Sequence, residues 1–193
     1  MPGRIFLHED GARLAELYGV APAEVPTGED LAPQGAVAAV LPGRLVTARW
    51  GMIPTGAVNA RGRPVLEQLV NIRSETLHDK AAFAGVRGNR CILPCSGWYE
   101  WTGETRRKTR WAIHAPTRPV LSFAAIFDLW RGPGGREVLS LATLTCEPNG
   151  DVRDYHHRMP VILEDPAAWL SGAPVEMSPA PEGLLVVERS ALG

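Results

Sequence analysis

Three short polar clusters in this chain combine residue types that move protons or hold a nucleophile. The first is Asn71-Ile72-Arg73-Ser74-Glu75-Thr76. Strand-like alternation turns Asn71 and Arg73 to one face. Read as a helix start, Ser74 or Thr76 caps and Glu75 sits near the positive helix end. The second cluster is Gly97-Trp98-Tyr99-Glu100-Trp101. A carboxyl among aromatics loses water, which raises its pKa from about 4.3 toward the range where it exchanges protons at neutral pH. A surface glutamate ending a strand fits the same letters. The third is Tyr155-His156-His157-Arg158-Met159-Pro160. Histidine is a natural proton shuttle. In a strand, neighbouring histidines face opposite ways, so only one of His156 and His157 enters a given site; one surface and one structural histidine is the plain alternative.

Other chemistries have thinner support. A metal site through His156, His157, His114, Cys91 and Cys95 lacks a second pair to match the Cys-x3-Cys spacing, so no metal and no cofactor is expected. There is no Gly-x-Ser-x-Gly nucleophile elbow, and the spacing gives no reason to pair Cys95 with His156 as a protease couple. Net charge is −1, which argues against a generally basic nucleic-acid binder while leaving room for a local basic groove. Basic residues are mostly arginine, with Lys80 and Lys108 the only lysines, and arginine suits phosphate contact and base stacking.

The elements that must position these clusters are short. Gly11–Tyr18 has helical spacing at Leu14, Leu17 and Tyr18. Residues 36–41 and 44–49 read as strands about the turn Pro42-Gly43. A helix is expected over 76–87, with Leu77, Ala81 and Ala84 on one side and Gly88 as its stop. Beyond Arg90 the pattern is mostly strand: 91–93, 109–114, 119–127, 137–146, 159–163 and 183–189. Asp165-Pro166 opens a short helix at 166–170, and the Pro/Ser/Gly-rich stretch 171–182 reads as a surface loop. Strands and helices mix without βαβ alternation. The expected fold is therefore α+β: one domain over 1–193, with a curved, mainly antiparallel, barrel-like sheet flanked by short helices. The 193 residues suit one sizeable core. No apolar run reaches the ~18–20 residues of a membrane span. The acidic Glu9 and Asp10 do not suit a signal peptide, and the three cysteines then read as reduced thiols. A cytoplasmic monomer is expected.

Taken in order, the clusters resemble the SRAP family (SOS-response-associated peptidase domains, or abasic-site processing proteins). The resemblance rests on Gly3-Arg4, Ala32-Pro33, Trp50-Gly51-Met52-Ile53-Pro54, Asn71 through Thr76, Arg90 through Pro94, Gly97 through Trp101, Phe123-Ala124 with Trp130, and His156-x-Arg158-Met159-Pro160. Asn59-Ala60-Arg61 copies only the start of the asparagine motif. The resemblance implies a cleft for single-stranded DNA carrying abasic sites, as part of the DNA damage response. It implies that an N-terminal cysteine amine attacks the open-ring sugar aldehyde and that its thiol closes a thiazolidine crosslink. It implies that Asn71 positions, Glu100 moves the amine's proton, and His156 helps open the sugar. Arg4, Arg73 and Arg158 are candidates for phosphate contacts; Trp50 and Met52 are candidates for stacking on bases, with core packing the alternative.

The family pattern opens Met-Cys-Gly-Arg, whereas this chain opens Met1-Pro2-Gly3-Arg4. Without the thiol, no thiazolidine can close. Pro2, once Met1 is removed, is a secondary amine that can still form an iminium with an aldehyde, either reversibly or with strand cleavage as an abasic-site lyase. Whether the site turns over as an enzyme thus rests on Pro2, the alternative being a non-covalent binder of single-stranded or damaged DNA.

Overall fold

A computed structural model describes residues 2–52, 68–104 and 106–191, the side chains of Ala82 and Pro133 excepted. Met1, Ile53-Pro54 and Asn59-Ala60-Arg61 lie outside the described residues. In chain order the strands are β1 (Ile5–Leu7), β2 (Gly28–Leu31), β3 (Ala36–Leu41), β4 (Arg44–Trp50), β5 (Asn71–Arg73), β6 (Arg90–Cys95), β7 (Gly97–Thr102), β8 (Thr109–His114), β9 (Leu121–Arg131), β10 (Glu137–Cys146), β11 (Met159–Pro160) and β12 (Val186–Arg189); the α-helices are α1 (Gly11–Tyr18) and α2 (Pro166–Leu170).

Five strands close on themselves in the order β10-β4-β3-β6-β9, with β9 returning to β10. This ring is the expected barrel. Its pairings are antiparallel except where β4 runs parallel to β10. Closure removes free sheet edges. A second, open sheet runs β12-β8-β7-β1-β2. One apolar cluster draws on both, from Val40, Ile92 and Ile126 in the barrel to Ile5, Trp98 and Ile113 in the open sheet. No helix among the described residues is long and apolar enough to cross a membrane.

Local chemistry explains the regular elements. Asp10 accepts from the Arg13 N–H at 2.9 Å to cap α1, and Gly19 ends it in the left-handed region at φ 65°; such a cap contributes about 1 kcal/mol. Pro42-Gly43 joins β3 to β4, with Gly43 at φ 75° and Leu41 paired to Arg44. Trp169 of α2 donates its indole N–H to the Cys91 carbonyl at 2.9 Å, fastening the helix to β6.

Two connections place the site. Ser96 carries the chain from β6 of the barrel into β7 of the open sheet. Gly97 then passes so close to β8 that a Cβ there would sit 2.4 Å from the Ile113 carbonyl oxygen and from the Phe6 ring, so only glycine fits. On the barrel, the chain leaves the β10 edge after Trp50 and rejoins it at Asn71, in the same parallel sense. The base of that excursion is closed by paired backbone bonds between Met52 and Leu69, 3.0 and 2.8 Å.

Several elements differ from expectation. The helix over 76–87 is absent: the segment holds two short 3-10 turns, Ser74–Thr76 and Ala81–Phe83, separated by extended Lys80 at φ −86°, ψ 122°. The side chains it buries are Leu77, Phe83 and Val86, while Ala81 and Ala84 are exposed, so the assumed apolar stripe does not face the core. Neither Ser74 nor Thr76 makes a helix cap; Thr76 Oγ1 instead donates to the Arg73 carbonyl at 3.2 Å. The strand expected at 159–163 is only Met159–Pro160, and that at 183–189 only Val186–Arg189.

Candidate active site

Glu100 lies within β7, on the same face as Trp98 and opposite Trp111 of β8. It is 4% exposed. The amino end of the chain runs antiparallel beside it: Ile5 pairs with Trp98, and the Tyr99 N–H donates to the Arg4 carbonyl at 3.0 Å. Continuing that register backward brings Gly3 alongside Glu100. Pro2 is buried. Its carbonyl accepts from Asn71 Nδ2 at 3.0 Å. That bond crosses from the open sheet to the barrel, because Asn71 opens β5 on the β10 edge. The alternation expected in this cluster holds there, with Ile72 buried between the less buried Asn71 and Arg73.

His156 follows the turn begun at Asn149, with its backbone N–H on the Val152 carbonyl at 3.0 Å. The Arg158 backbone N–H donates to His156 Nδ1 at 2.9 Å. The Arg158 carbonyl lies 3.1 Å from the same nitrogen, so the Arg158 backbone holds Nδ1 in either tautomer of the neutral ring. Two carboxylates clasp this turn to the segment before β12. Asp151 accepts from the N–H groups of Gly183 at 3.0 Å and Leu185 at 3.1 Å, and Glu182 accepts from the Gly150 N–H at 2.8 Å.

Environment moves the two proton carriers in opposite directions. Burial pushes the Glu100 carboxyl up to about 7, against the lowering pull of the chain's positive amino terminus. Burial also dominates at His156, whose ring falls to about 4, with the same terminal charge adding to the effect. Near neutral pH, Glu100 can therefore both accept and release a proton, while His156 is a neutral hydrogen-bonding group.

The sequence-predicted residues separate into two sets. Asn71 and Glu100 border the amino end of the chain, through the Pro2 bond at Asn71 and the β1–β7 pairing beside Glu100, and the His156 turn reaches the same strands through the contact of Tyr155 with Trp111, the residue opposite Glu100. Of the proposed DNA contacts, Arg73 is exposed and Arg4 is half-exposed, paired with Asp30 at 2.7 Å. The others are inside. Trp50 and Met52 are both 0% exposed. The Trp50 indole donates to the Val70 carbonyl at 3.2 Å and to Thr143 Oγ1 at 3.1 Å. Arg158 is buried, forked onto both Glu75 oxygens at 2.7 Å and bonded to the Thr145 carbonyl at 2.6 Å. It ties the Asn71 strand to the His156 turn.

His156 and His157 do not face opposite ways. They follow a turn instead of lying in a strand, and their rings stack with centroids 4.3 Å apart. Sequence reasoning also passed over Trp111 and Tyr155, which meet edge-on at 5.0 Å beside the site, and over the clasp residues Asp151 and Glu182. Tyr155 precedes His156 in its motif; nothing local marks the other three. Cys91, Cys95 and Cys146 are buried with thiols pushed upward, the last to about 11, by lost hydration. Among the described residues, no group of three or more His, Cys, Asp or Glu side chains could hold a metal.

Residues 1–188 match the family described as SOS response associated peptidase (SRAP). The chain is 33% identical over 132 residues to the abasic site processing protein YoqW of Bacillus subtilis, covering 66% of this chain and 58% of that protein. It is 29% identical over 155 residues to the abasic site processing protein HMCES of Gallus gallus, covering 68% of this chain and 46% of that protein. It therefore spans less than two thirds of the length of these curated relatives. Among solved structures, a Bacteroides thetaiotaomicron protein superposes with a TM-score of 0.82 at 21% identity, covering 96% of this chain and 90% of that one. A Bordetella bronchiseptica protein superposes at 0.79 and 25% identity, covering 98% of this chain and 100% of that one.

Proposed function

This chain belongs to the SRAP family, and on that premise we propose that it acts on abasic sites in single-stranded DNA through a Schiff base formed by Pro2. Abasic-site processing is named for its relatives in bacteria and in vertebrates. The observation that carries the reading is the hold on the amino end: Asn71 Nδ2 grips the Pro2 carbonyl at 3.0 Å, and the antiparallel pairing of β1 with β7 runs the same end of the chain alongside buried Glu100.

The chemistry follows from these groups once Met1 has been removed. The Pro2 nitrogen attacks the aldehyde carbon of the open-ring sugar and passes a proton to the Glu100 carboxylate. Glu100 returns that proton to the aldehyde oxygen to make the carbinolamine hydroxyl; reprotonated from water, it gives the hydroxyl a second proton, the hydroxyl leaves as water, and the nitrogen lone pair closes the C=N bond. A secondary amine has no proton left to lose, so the product is an iminium cation. Water reverses it, or loss of the adjacent C2′ proton expels the 3′ phosphate and cuts the strand. The neutral His156 hydrogen-bonds the sugar oxygen as the ring opens, and Asn71 keeps the amine in place. No thiazolidine forms, because Pro2 supplies no sulfur.

Borohydride reduction in the presence of abasic single-stranded DNA should yield a covalent protein–DNA band. Protein confirmed to begin at Pro2 that gives no band refutes the reading. Should such protein nevertheless bind the strand in a salt-dependent way, it is a non-covalent binding module; a Pro2→Cys variant that then crosslinks would show the rest of the site intact.

A further inference from the structure

Beside Glu100 and His156 stand aromatic rings that the proton chemistry does not use. Trp111 stands opposite Glu100 on β8, and its indole N–H is fixed on Thr102 Oγ1 at 2.7 Å. Tyr155 meets that indole edge-on at 5.0 Å, bridging from the His156 turn to the open sheet. One residue past His156, His157 stacks on the catalytic candidate at 4.3 Å with an interplanar angle of 27°. Trp111 and Tyr155 are partly exposed, and His157 is exposed. An aromatic series that served only packing would be covered; this one follows the edge of the site from Glu100 to His156 and meets solvent along it.

We propose that Trp111, Tyr155 and His157 form a stacking rim that receives the bases flanking the abasic position. The inference rests on the functional reading above and adds how the strand is held. An abasic nucleotide has no base of its own to stack, so a protein that seats one gains by holding its neighbours. Every base presents a flat π face, so aromatic rings grip a strand without regard to sequence. The rim is built on rigid supports: β8 beneath Trp111, and beneath Tyr155 and His157 the turn clasped by Asp151 and Glu182. His157 is thereby a binding residue for the strand, distinct from the proton-handling role of His156.

The test removes bases from the DNA as well as rings from the protein. Fluorescence anisotropy would compare two single strands: one with a single tetrahydrofuran abasic analogue between normal nucleotides, and one in which the flanking nucleotides are also tetrahydrofuran. The protein as it stands should bind the second strand roughly ten- to hundredfold more weakly, the range expected for losing a base–aromatic stack. His157→Ala and Trp111→Ala should bind the first strand more weakly by a similar factor and should discriminate less between the two. His157→Phe should restore the affinity. Thermal melting of each variant checks that the fold survives. Variants that bind and discriminate as the parent does overturn the rim while leaving the functional reading intact. Failure of the parent to bind either strand overturns the functional reading, and the rim with it.

Discussion

The barrel and the open sheet each bury titratable groups, and the same loss of hydration leaves them in different states. In the barrel, Cys91 and Cys95 lie wholly inside, and lost hydration drives their thiols far above neutral pH. They are chemically silent and act as small apolar side chains. In the open sheet the same loss of hydration lifts the Glu100 carboxyl to about 7, with the positive amino terminus opposing the rise. One physical cause thus makes inert groups in one region and a proton carrier in the other. What separates them is the lower ordinary pKa of a carboxyl than of a thiol, together with the positive charge that opposes the rise at Glu100.

Removing the carrier breaks that comparison most strongly. Glu100→Gln keeps the shape and removes the proton exchange, so Schiff-base formation should slow by roughly 10²–10⁴-fold. Single-turnover borohydride trapping measures it, and a rate within a few-fold of the parent would move the acid–base role elsewhere.

The next effect is on stability. Glu75→Gln leaves the buried Arg158 guanidinium without its counter-charge. Breaking a buried pair costs about 3–5 kcal/mol; because the Glu75 side chain is 49% exposed, about 2 kcal/mol is expected here, read from urea denaturation. The trapping rate should fall as well, since this pair joins the Asn71 strand to the His156 turn.

Acid–base linkage gives a smaller effect with a definite sign. Glu100 holds a proton more tightly folded than unfolded, so its contribution favours the fold at low pH and is lost as pH rises from about 4.5 through about 7. His156 is the reverse: its folded value of about 4 lies below the ordinary one, so its contribution is present above about 6.5 and is lost on acidification toward 4. In the parent the two oppose each other. Glu100→Gln should therefore lose stability as pH falls across that window, and His156→Asn should lose it as pH rises. The Glu100 contribution is at most about 3 kcal/mol; that of the more exposed His156 is smaller through solvent screening. Denaturation midpoints from pH 4 to 8 check the opposite slopes.

Trp50→Phe should cost about 1 kcal/mol for the lost indole hydrogen bonds. It should leave DNA affinity unchanged, because the side chain faces the core. A strong loss of affinity at normal stability would return Trp50 to the binding surface.

These regions were not equally legible in the sequence. Strands β3 and β4, helix α1 with its Asp10 cap, and helix α2 follow from local pattern and turn chemistry. Three elements near the site do not. β1 and β5 have three residues each and β2 has four, two of them the charged Glu29 and Asp30, so their pairing is decided by distant partners. The roles of Asn71, Glu100 and His156 were suggested by motif order, but their convergence depends on Ser96 carrying the chain between sheets and on β5 returning to the β10 edge. Trp50 and Arg158 show the opposite limit. A tryptophan that stacks on a base and one that fills a core have the same letter, and only the Thr143 and Glu75 contacts tell which is present.

In the proposed chemistry the amine of Pro2 joins the abasic sugar. Intact mass of the protein before and after borohydride treatment with abasic single-stranded DNA, followed by peptide mapping of the adduct, tests it most directly. The expected product is a chain that has lost Met1 and carries a single adduct on Pro2. An adduct on the side chain of Lys80 or Lys108, or no adduct on a chain shown to begin at Pro2, would contradict it.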